Sequence, residues 1–528
     1  MWRQKLTGDY DIAVVGSGFA GSLMAMVARR LGHSVALIER GAHPRVVIGE
    51  SSTPLSNLLL EELAIRYDLP SLRPLAKWGS WRKAYPGVTC GLKRGFTFHH
   101  HVAGIARVAD PDRQDQLLVE ASPRDEIADT HWYRADLDQL LVREAQKLDV
   151  VYFEETNLQR LRDYGSEIGL EGERNGQDMQ LRAKVVVDAT GPRGFIHRAL
   201  QRGEGGIPDY PSTQALYSHF SGVRRLGDTR YSRTTEDPPY PIDDAAVHHV
   251  FDGGWIWVLQ FNNGMTSAGV AATDEFALRM RFCEGQPSWF RVLDLIPALK
   301  EQFAEARVER PFTHIPRLSF RSAQAAGRRW VQLPSAAGFV DPLLSSGFPL
   351  TLLGVERLAR IIEQTWETEE FSVQLQEYAM RTDAELLATA RLVSGLYANM
   401  NNFPVFVALS LLYFGAASYS EAARRLGKAD LVSSFLLCSH PEFGRESKRL
   451  LDRARYPLTE KESDALVRAI LAVIDPIDVA GLGRLERRNW YPVDTNDLFD
   501  AAGKLGASCE EVAGMLRRCG FERETVRC

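Results

Sequence analysis

Cysteine is sparse and scattered. Cys90, Cys283, Cys438, Cys509, Cys519 and Cys528 are spread through 528 residues with no C-x-x-C pair. This argues against a zinc site or a disulfide framework and suits a reducing, cytosolic compartment. An excess of one charge is also missing. Lys plus Arg is 63 and Asp plus Glu is 68, a net charge of −5, so the chain carries no signature for nucleic acid or an anionic membrane. The most apolar run, Phe403 to Ser418, is short for a membrane span and reads as a buried helix. The amino-terminal residues enter a strand pattern almost at once, which leaves no room for a signal peptide. Repeats and low-complexity tracts are absent. What is present is a globular composition, 45 % hydrophobic and 25 % charged, on a length that suits two or three lobes.

The first fifty residues carry the clearest pattern. Asp11 to Val15 is a β-branched run that reads as a buried parallel strand. Gly16, Gly18 and Gly21 form G-x-G-x-x-G. Phe19 to Leu31 has helical spacing, with Gly32 at the stop, and Val35 to Ile38 is a second strand that ends at Glu39. Each glycine has a mechanical reason: a tight turn, close approach of backbone to a pyrophosphate, and close helix–strand packing. The helix N-terminus adds partial positive charge for the phosphates. Glu39 stands where a ribose-binding acid belongs, so an adenine dinucleotide without a 2′-phosphate is expected. FAD and NAD remain equally open on this segment alone. No second G-x-G-x-x-G is found; "GLGRL" at Gly481 lacks the third glycine and a preceding strand.

Later segments narrow the choice. "HPRVVIGESSTP" runs from His43 to Pro54, and "AKVVVDATGPRGFIHRAL" from Ala183 to Leu200 is a third apolar strand followed by Asp188, Thr190 and Gly191. "FVDPLLSSG", Phe339 to Gly347, is an Asp-Pro turn with a Gly/Ser loop ahead of a helical pattern. "GWIWVLQFNN", Gly254 to Asn263, holds Trp255 and Trp257, and "CGLKRGFTF", Cys90 to Phe98, holds Lys93. "WYRADLDQLL" spans Trp132 to Leu141. Together these resemble the FAD domain of aromatic hydroxylases and, more narrowly, the flavin-dependent halogenases of the phenol-acting type, such as those acting on phloroglucinol. Phe339, Pro342, Ser345 and Gly347 fit that family's F-x-x-P-x-x-S-x-G signature. Trp255 and Trp257 fit its W-x-W-x-I-P motif, with Leu259 and Gln260 standing where the family has Ile-Pro. The likeness extends from residue 10 to about residue 365.

The resemblance implies an α/β (α+β) fold: a GxGxxG Rossmann-like FAD domain of the aromatic-hydroxylase type, an inserted β-sheet and a helical C-terminal region. The expected division is residues 1–105, 145–205 and 325–365 for FAD, 106–144 and 206–324 for the β-rich part, and 366–528 for a helical cover. The implied cofactor set is Gly16, Gly18, Gly21, Glu39, Arg45, Asp188, Gly191, Asp341 and Pro342. The loop Ser345, Ser346 and Gly347 would hold chloride or bromide. Reduced FAD and oxygen would oxidise that halide to hypohalous acid. Glu50 would link the flavin to Lys93, which would hold the oxidant beside an electron-rich ring. Phe96, Trp255 and Trp257 would line the route. Burial without a partner carboxylate would lower the lysine pKa, and Arg94 would add to this if it stays close. Lys77 is a rival and Lys83 a surface residue. Adjacent histidines at His99–His101 and His248–His249 face opposite sides of a strand, so no metal is expected.

The partners implied are a separate NAD(P)H flavin reductase and a small aromatic substrate, free or tethered to a carrier protein. Two other readings stay open. One is an FAD-dependent monooxygenase that hydroxylates or oxidises an aromatic without halide. The other is a flavoprotein that binds FAD and a partner without catalysis.

Overall fold

The protein was analysed as a computed structural model, which describes residues 6–106, 110, 112–232 and 236–521; Cys528 lies outside the described residues. Two large sheets and a helical layer share one main apolar core. The first sheet is built on Leu6–Val15, which pairs in parallel with Val35–Ile38 and with Gln177–Asp188. Val151–Phe153 extends it on one side, and Ile168–Arg174 and Thr156–Asp163 on the other. The long strand Gln177–Asp188 changes partner along its length. Its first part pairs antiparallel with Ile168–Arg174, and its last residues pair in parallel with Trp330–Gln332. The parallel strand Val35–Ile38 is fully buried, which explains why it reads as a continuous apolar run rather than as an alternation.

The helix Phe19–Arg30 covers this sheet. Gly18 is its N-cap, and Gly32 adopts a left-handed conformation just beyond its end. Gly21 cannot be anything larger, because a Cβ there would lie 1.8 Å from the Gly16 carbonyl oxygen. The turn therefore closes tightly and brings backbone N–H groups to the helix start.

Among the described residues the second sheet has nine strands. In order these are Arg307–Val308, Thr213–Ser221, Met265–Thr273, Gly254–Gln260, Ala246–Phe251, Gly95–His101, Gln116–Glu120 and Trp490–Tyr491, with Thr313–Ile315 also on Thr213–Ser221. A separate two-stranded unit, Cys90–Lys93 with Asp129–Trp132, links the layers. The helix Phe403–Arg425 is long and apolar enough to cross a membrane by length and composition, but 83 % of its most apolar window is buried inside the protein. It packs on Glu460–Ile474, Glu370–Ala398 and Pro54–Arg66.

Three segments depart from the expected division. Gly95–His101 belongs to the nine-stranded sheet, because its in-register partner is Ala246–Phe251. The helix Arg134–Lys147 packs on Phe19–Arg30, beside the glycine turn. Trp490–Tyr491 leaves the helical region to pair with Leu118 and Val119.

Candidate active site

Two hollows flank the glycine turn and share Arg45, Ala189 and Thr190 in their walls. The smaller, about 120 Å³, is lined by Gly16 and Glu39. The larger, about 470 Å³, is lined by Gly18, Gly49, Gly191, Asp341, Ser346 and Gly347 among others. Glu39 accepts hydrogen bonds from the N–H groups of Ser17 and Gly41, each at 3.0 Å, and lies 3.4 Å from Arg45. Burial alone would raise its carboxyl pKa. Arg45 and the two N–H groups outweigh that and hold it below the usual range. The Arg45 Nε is buried without a partner among the described residues, an orphan donor at the junction of the hollows. A carboxylate at the ribose position, a close-packed glycine turn and an unused guanidinium donor fit an FAD.

The remaining residues expected to bind cofactor divide into those that line the cleft and those that shape it. Gly21 lies inside the turn. Asp188 is fully buried, and its carboxylate accepts from the Thr190 N–H (2.9 Å), the Thr190 hydroxyl (2.5 Å) and the Ile196 N–H (2.8 Å). It shapes the Thr190–Gly191 loop and does not line either hollow. Asp341 lines the cleft, yet its oxygens accept from Trp255 Nε1 (3.2 Å) and the Tyr397 hydroxyl (2.9 Å). Burial pushes its pKa up to about 7 against those donors. Pro342 accepts the Ser345 N–H at 3.0 Å, so Ser345 turns away while Ser346 and Gly347 face the cleft. Leu344 and Ser345 both have positive φ, 65° and 55°. Such strain is held in place only by its surroundings, and here it delivers the start of the helix Gly347–Thr365 to the cleft wall.

The segment Gly49 to Thr53 leaves this cleft and ends at a second cavity of about 240 Å³. Glu50 is buried on it, with both carboxylate oxygens 3.1–3.2 Å from His219 Nε2. Lys93 lies against the next two residues. Its Nζ donates to Ser51 Oγ at 3.0 Å and to the Ser52 carbonyl at 2.5 Å, and sits 3.7 Å from the centre of the Phe96 ring. Lys93 is 0 % exposed. Burial lowers its pKa, and the charge of Asp129 partly offsets this. Asp129 is the cross-strand partner of Lys93, so the lysine does face a carboxylate, one 36 positions away in the chain. Phe96 and Asp129 line the 240 Å³ cavity together with Val119, Tyr413, Phe414 and Leu516.

Arg94, in the link between the strands Cys90–Lys93 and Gly95–His101, turns away from Lys93 and binds Glu120 (2.8 Å) and Asp125 (3.0 Å). Lys77 also lines the cavity and donates to the Cys519 carbonyl at 3.3 Å; Lys83 is exposed. Trp255 and Trp257 lie side by side, ring centres 5.6 Å apart. Neither indole lines the 470 Å³ cleft or the 240 Å³ cavity. Trp255 supports Asp341, and Trp257 donates to Ser267 at 3.3 Å. The tryptophans stand behind the cleft because their N–H groups are buried and need acceptors. Gln260 turns its side chain toward Arg225 (3.4 Å), and its carbonyl lies over Gly91, on the Lys93 strand. His219, Asn57, Asp129 and Tyr397 were not singled out by the sequence.

Residues 11–321, more than half of the chain, match the family described as FAD dependent oxidoreductase. The chain belongs to the FAD-dependent oxidoreductase family. Its relatives include the monodechloroaminopyrrolnitrin halogenase PrnC of Pseudomonas fluorescens, 27 % identical over 413 residues that cover 77 % of this chain and 71 % of that protein. The tetracycline 7-halogenase of Kitasatospora aureofaciens is 26 % identical over 435 residues, covering 78 % and 75 %. The crystal structure of halogenase PltM in complex with phloroglucinol and FAD shares the fold, with a TM-score of 0.76 at 22 % identity over 91 % of this chain and 99 % of that one. Within the oxidoreductase family the chain is an FAD-using enzyme of the flavin-dependent halogenase type.

Proposed function

We propose that this enzyme uses reduced FAD, oxygen and chloride or bromide to make hypohalous acid, and delivers it by way of Lys93 to a phenolic ring. The observation that carries this reading is the Gly49–Thr53 segment. It starts in the wall of the flavin cleft and ends in the wall of the 240 Å³ cavity, with the amine of a fully buried lysine bonded to its middle.

Gly16, Gly18, Glu39, Arg45, Gly191 and the Ser346–Gly347 loop would hold FAD. In its reduced form FAD supplies the activation of oxygen that turns halide into hypohalous acid. The N–H groups that begin the helix Gly347–Thr365 offer the halide a site of partial positive charge beside the cleft. Phe19, Trp132 and Phe348 pack edge-to-face and stacked, with centres 4.5–5.6 Å apart, and keep water from the start of the route. Glu50, fixed by His219, and Ser51 hold a polar line from the cleft to Lys93. Lys93 packs behind the cavity wall against Phe96, and its amine, with a pKa lowered by burial, hydrogen-bonds or carries the oxidant. The apolar cavity walls suit an aromatic substrate, and the phloroglucinol complex of the PltM fold relative supports a phenol. Relatives named as acting on pyrrole bound to a peptidyl-carrier protein keep a tethered substrate within the class. The lack of a second dinucleotide motif supports a separate flavin reductase as the source of reduced FAD.

The test combines the enzyme with FAD, a flavin reductase, NADH, oxygen and bromide or chloride, and offers resorcinol, phloroglucinol and indole. Mass spectrometry should show the halogen isotope pattern. Lys93→Ala should lose product by roughly 100-fold or more while FAD binding is kept. Oxygenated product without halide dependence would sink the proposal.

A further inference from the structure

The 240 Å³ cavity is mostly apolar, and the polar groups on its walls are largely committed elsewhere. Glu120 is paired with Arg94, Glu421 with Arg425 at 2.7 Å, and Lys77 with a carbonyl. Asp129 differs. Its Oδ1 accepts from Asn57 Nδ2 at 2.7 Å. Its Oδ2 is buried with no partner among the described residues, on a side chain in the cavity wall. The residue is 5 % exposed. A buried carboxylate oxygen without a donor is costly unless something fills the place. Because Asp129 and Lys93 are in-register strand partners, their side chains lie on the same side of the strand pair, with Phe96 against the lysine amine and in the same cavity wall as Asp129.

We infer that Asp129 accepts the ring hydroxyl of the substrate and takes its proton as the ring is halogenated, so that this residue selects phenols and sets which carbon meets Lys93. The inference rests on the halogenase reading above. In the step, a ring carbon forms the carbon–halogen bond with a π electron pair while the phenol O–H proton passes to Asp129 Oδ2. The halogen–oxygen bond of hypohalous acid breaks, its electron pair leaves with oxygen as hydroxide, and the hydroxide takes a proton from the Lys93 ammonium to give water. The ring C–H proton of the resulting dienone then passes to the Lys93 amine, which restores the ammonium, while the ring oxygen regains its proton from Asp129. The sum is phenol plus hypohalous acid giving halophenol plus water.

The surroundings suit this work. Burial raises the Asp129 pKa, Lys93 lowers it, and Glu421 and Arg425 of the helix Phe403–Arg425 act in opposite senses. A desolvated carboxylate is a stronger base than one in water.

Two readouts test it. The first is binding: tryptophan fluorescence of the FAD-loaded enzyme, titrated with resorcinol and with its dimethyl ether. The wild type should prefer the phenol by roughly 10-fold or more, and Asp129→Asn should lose the preference. The second is rate. Asp129→Asn, checked for retained FAD, should lose roughly 100-fold with phenols of ordinary acidity and much less with fluorinated phenols already ionised at the assay pH. Asp129→Glu should recover part of the loss. Equal losses across the phenol series, or no preference for phenol over ether in the wild type, would overturn the inference. A wild type that yields no trappable hypohalous acid but shows the Asp129-dependent preference would sink the halogenase reading and leave Asp129 as the hydroxyl acceptor.

Discussion

Glu50 and His219 form a buried pair with side chains 3 % and 2 % exposed. A buried acceptor in this position depends on its donor, since leaving it unsatisfied costs the desolvation of the group. His219→Ala should therefore lower the unfolding free energy by about 1–3 kcal/mol, read by urea denaturation, and His219→Gln, which keeps a donor, should lose clearly less. Equal losses in the two variants would mean that packing rather than the hydrogen bond holds Glu50. The pair also marks the limit of what single residues reveal in a sequence. Lys93 stands out because its neighbours are small and apolar, and Glu50 because it sits in a motif. His219 is 169 positions from Glu50, and Asn57 is 72 from Asp129. Neither lies in a local pattern, so their roles come into being only when strands and helices from distant segments meet. Asp188 illustrates the reverse case. Its motif is plain in the sequence, but whether its carboxylate reaches outward or ties its own loop depends on backbone geometry.

At the scale of elements, the strand Gly254–Gln260 reads correctly from its alternation, with both tryptophans on one face. What that face meets could not be read. The Trp257 ring lies over Gly269 of the neighbouring strand, where a Cβ would come within 2.4 Å of both the indole and Tyr217. The glycine is thus the space into which the indole fits. Gly269→Ala should cost about 1–3 kcal/mol through overpacking, measured as a lowered denaturation midpoint, with a changed near-UV tryptophan signal. An unshifted midpoint would show that the sheet relaxes freely there. The first sheet was legible for a related reason: parallel strands and a glycine turn are local signals. The nine-stranded sheet was only partly legible, because Trp490–Tyr491 pairs with a strand that lies some 370 residues earlier, and no short window carries that information.

The molecule as a whole buries titratable groups of two opposite kinds, and their balance fixes how its stability responds to pH. Burial keeps His99, His101, His131 and His248 neutral, with pKa values pushed down from 6.5 to about 4, 3, 3 and 3. Between about pH 4 and 6.5 the unfolded chain protonates these histidines and the folded chain does not. Stability therefore falls as pH falls through that window, by up to about 1.4 kcal/mol per pH unit for each histidine. Asp341 works the other way. Burial raises its carboxyl from 3.8 to about 7, so its contribution is full below pH 3.8 and is lost as pH rises toward 7. Asp129, also raised, has the same sense. Among the described residues His33, His43, His249 and His314 are also lowered, and Glu120, Asp188, Asp243 and Asp497 are also raised. The lowered histidines outnumber the raised carboxyls, so the unfolding free energy should rise with pH between about 4 and 6.5, measured by urea denaturation at several pH values. Asp341→Asn removes one opposing group and should steepen that rise by up to about 1.4 kcal/mol per pH unit, whatever it does to stability at a single pH. A slope no steeper than that of the wild type would mean that Asp341 is ionised in the fold, with Trp255 and Tyr397 holding the charge that burial would otherwise have neutralised.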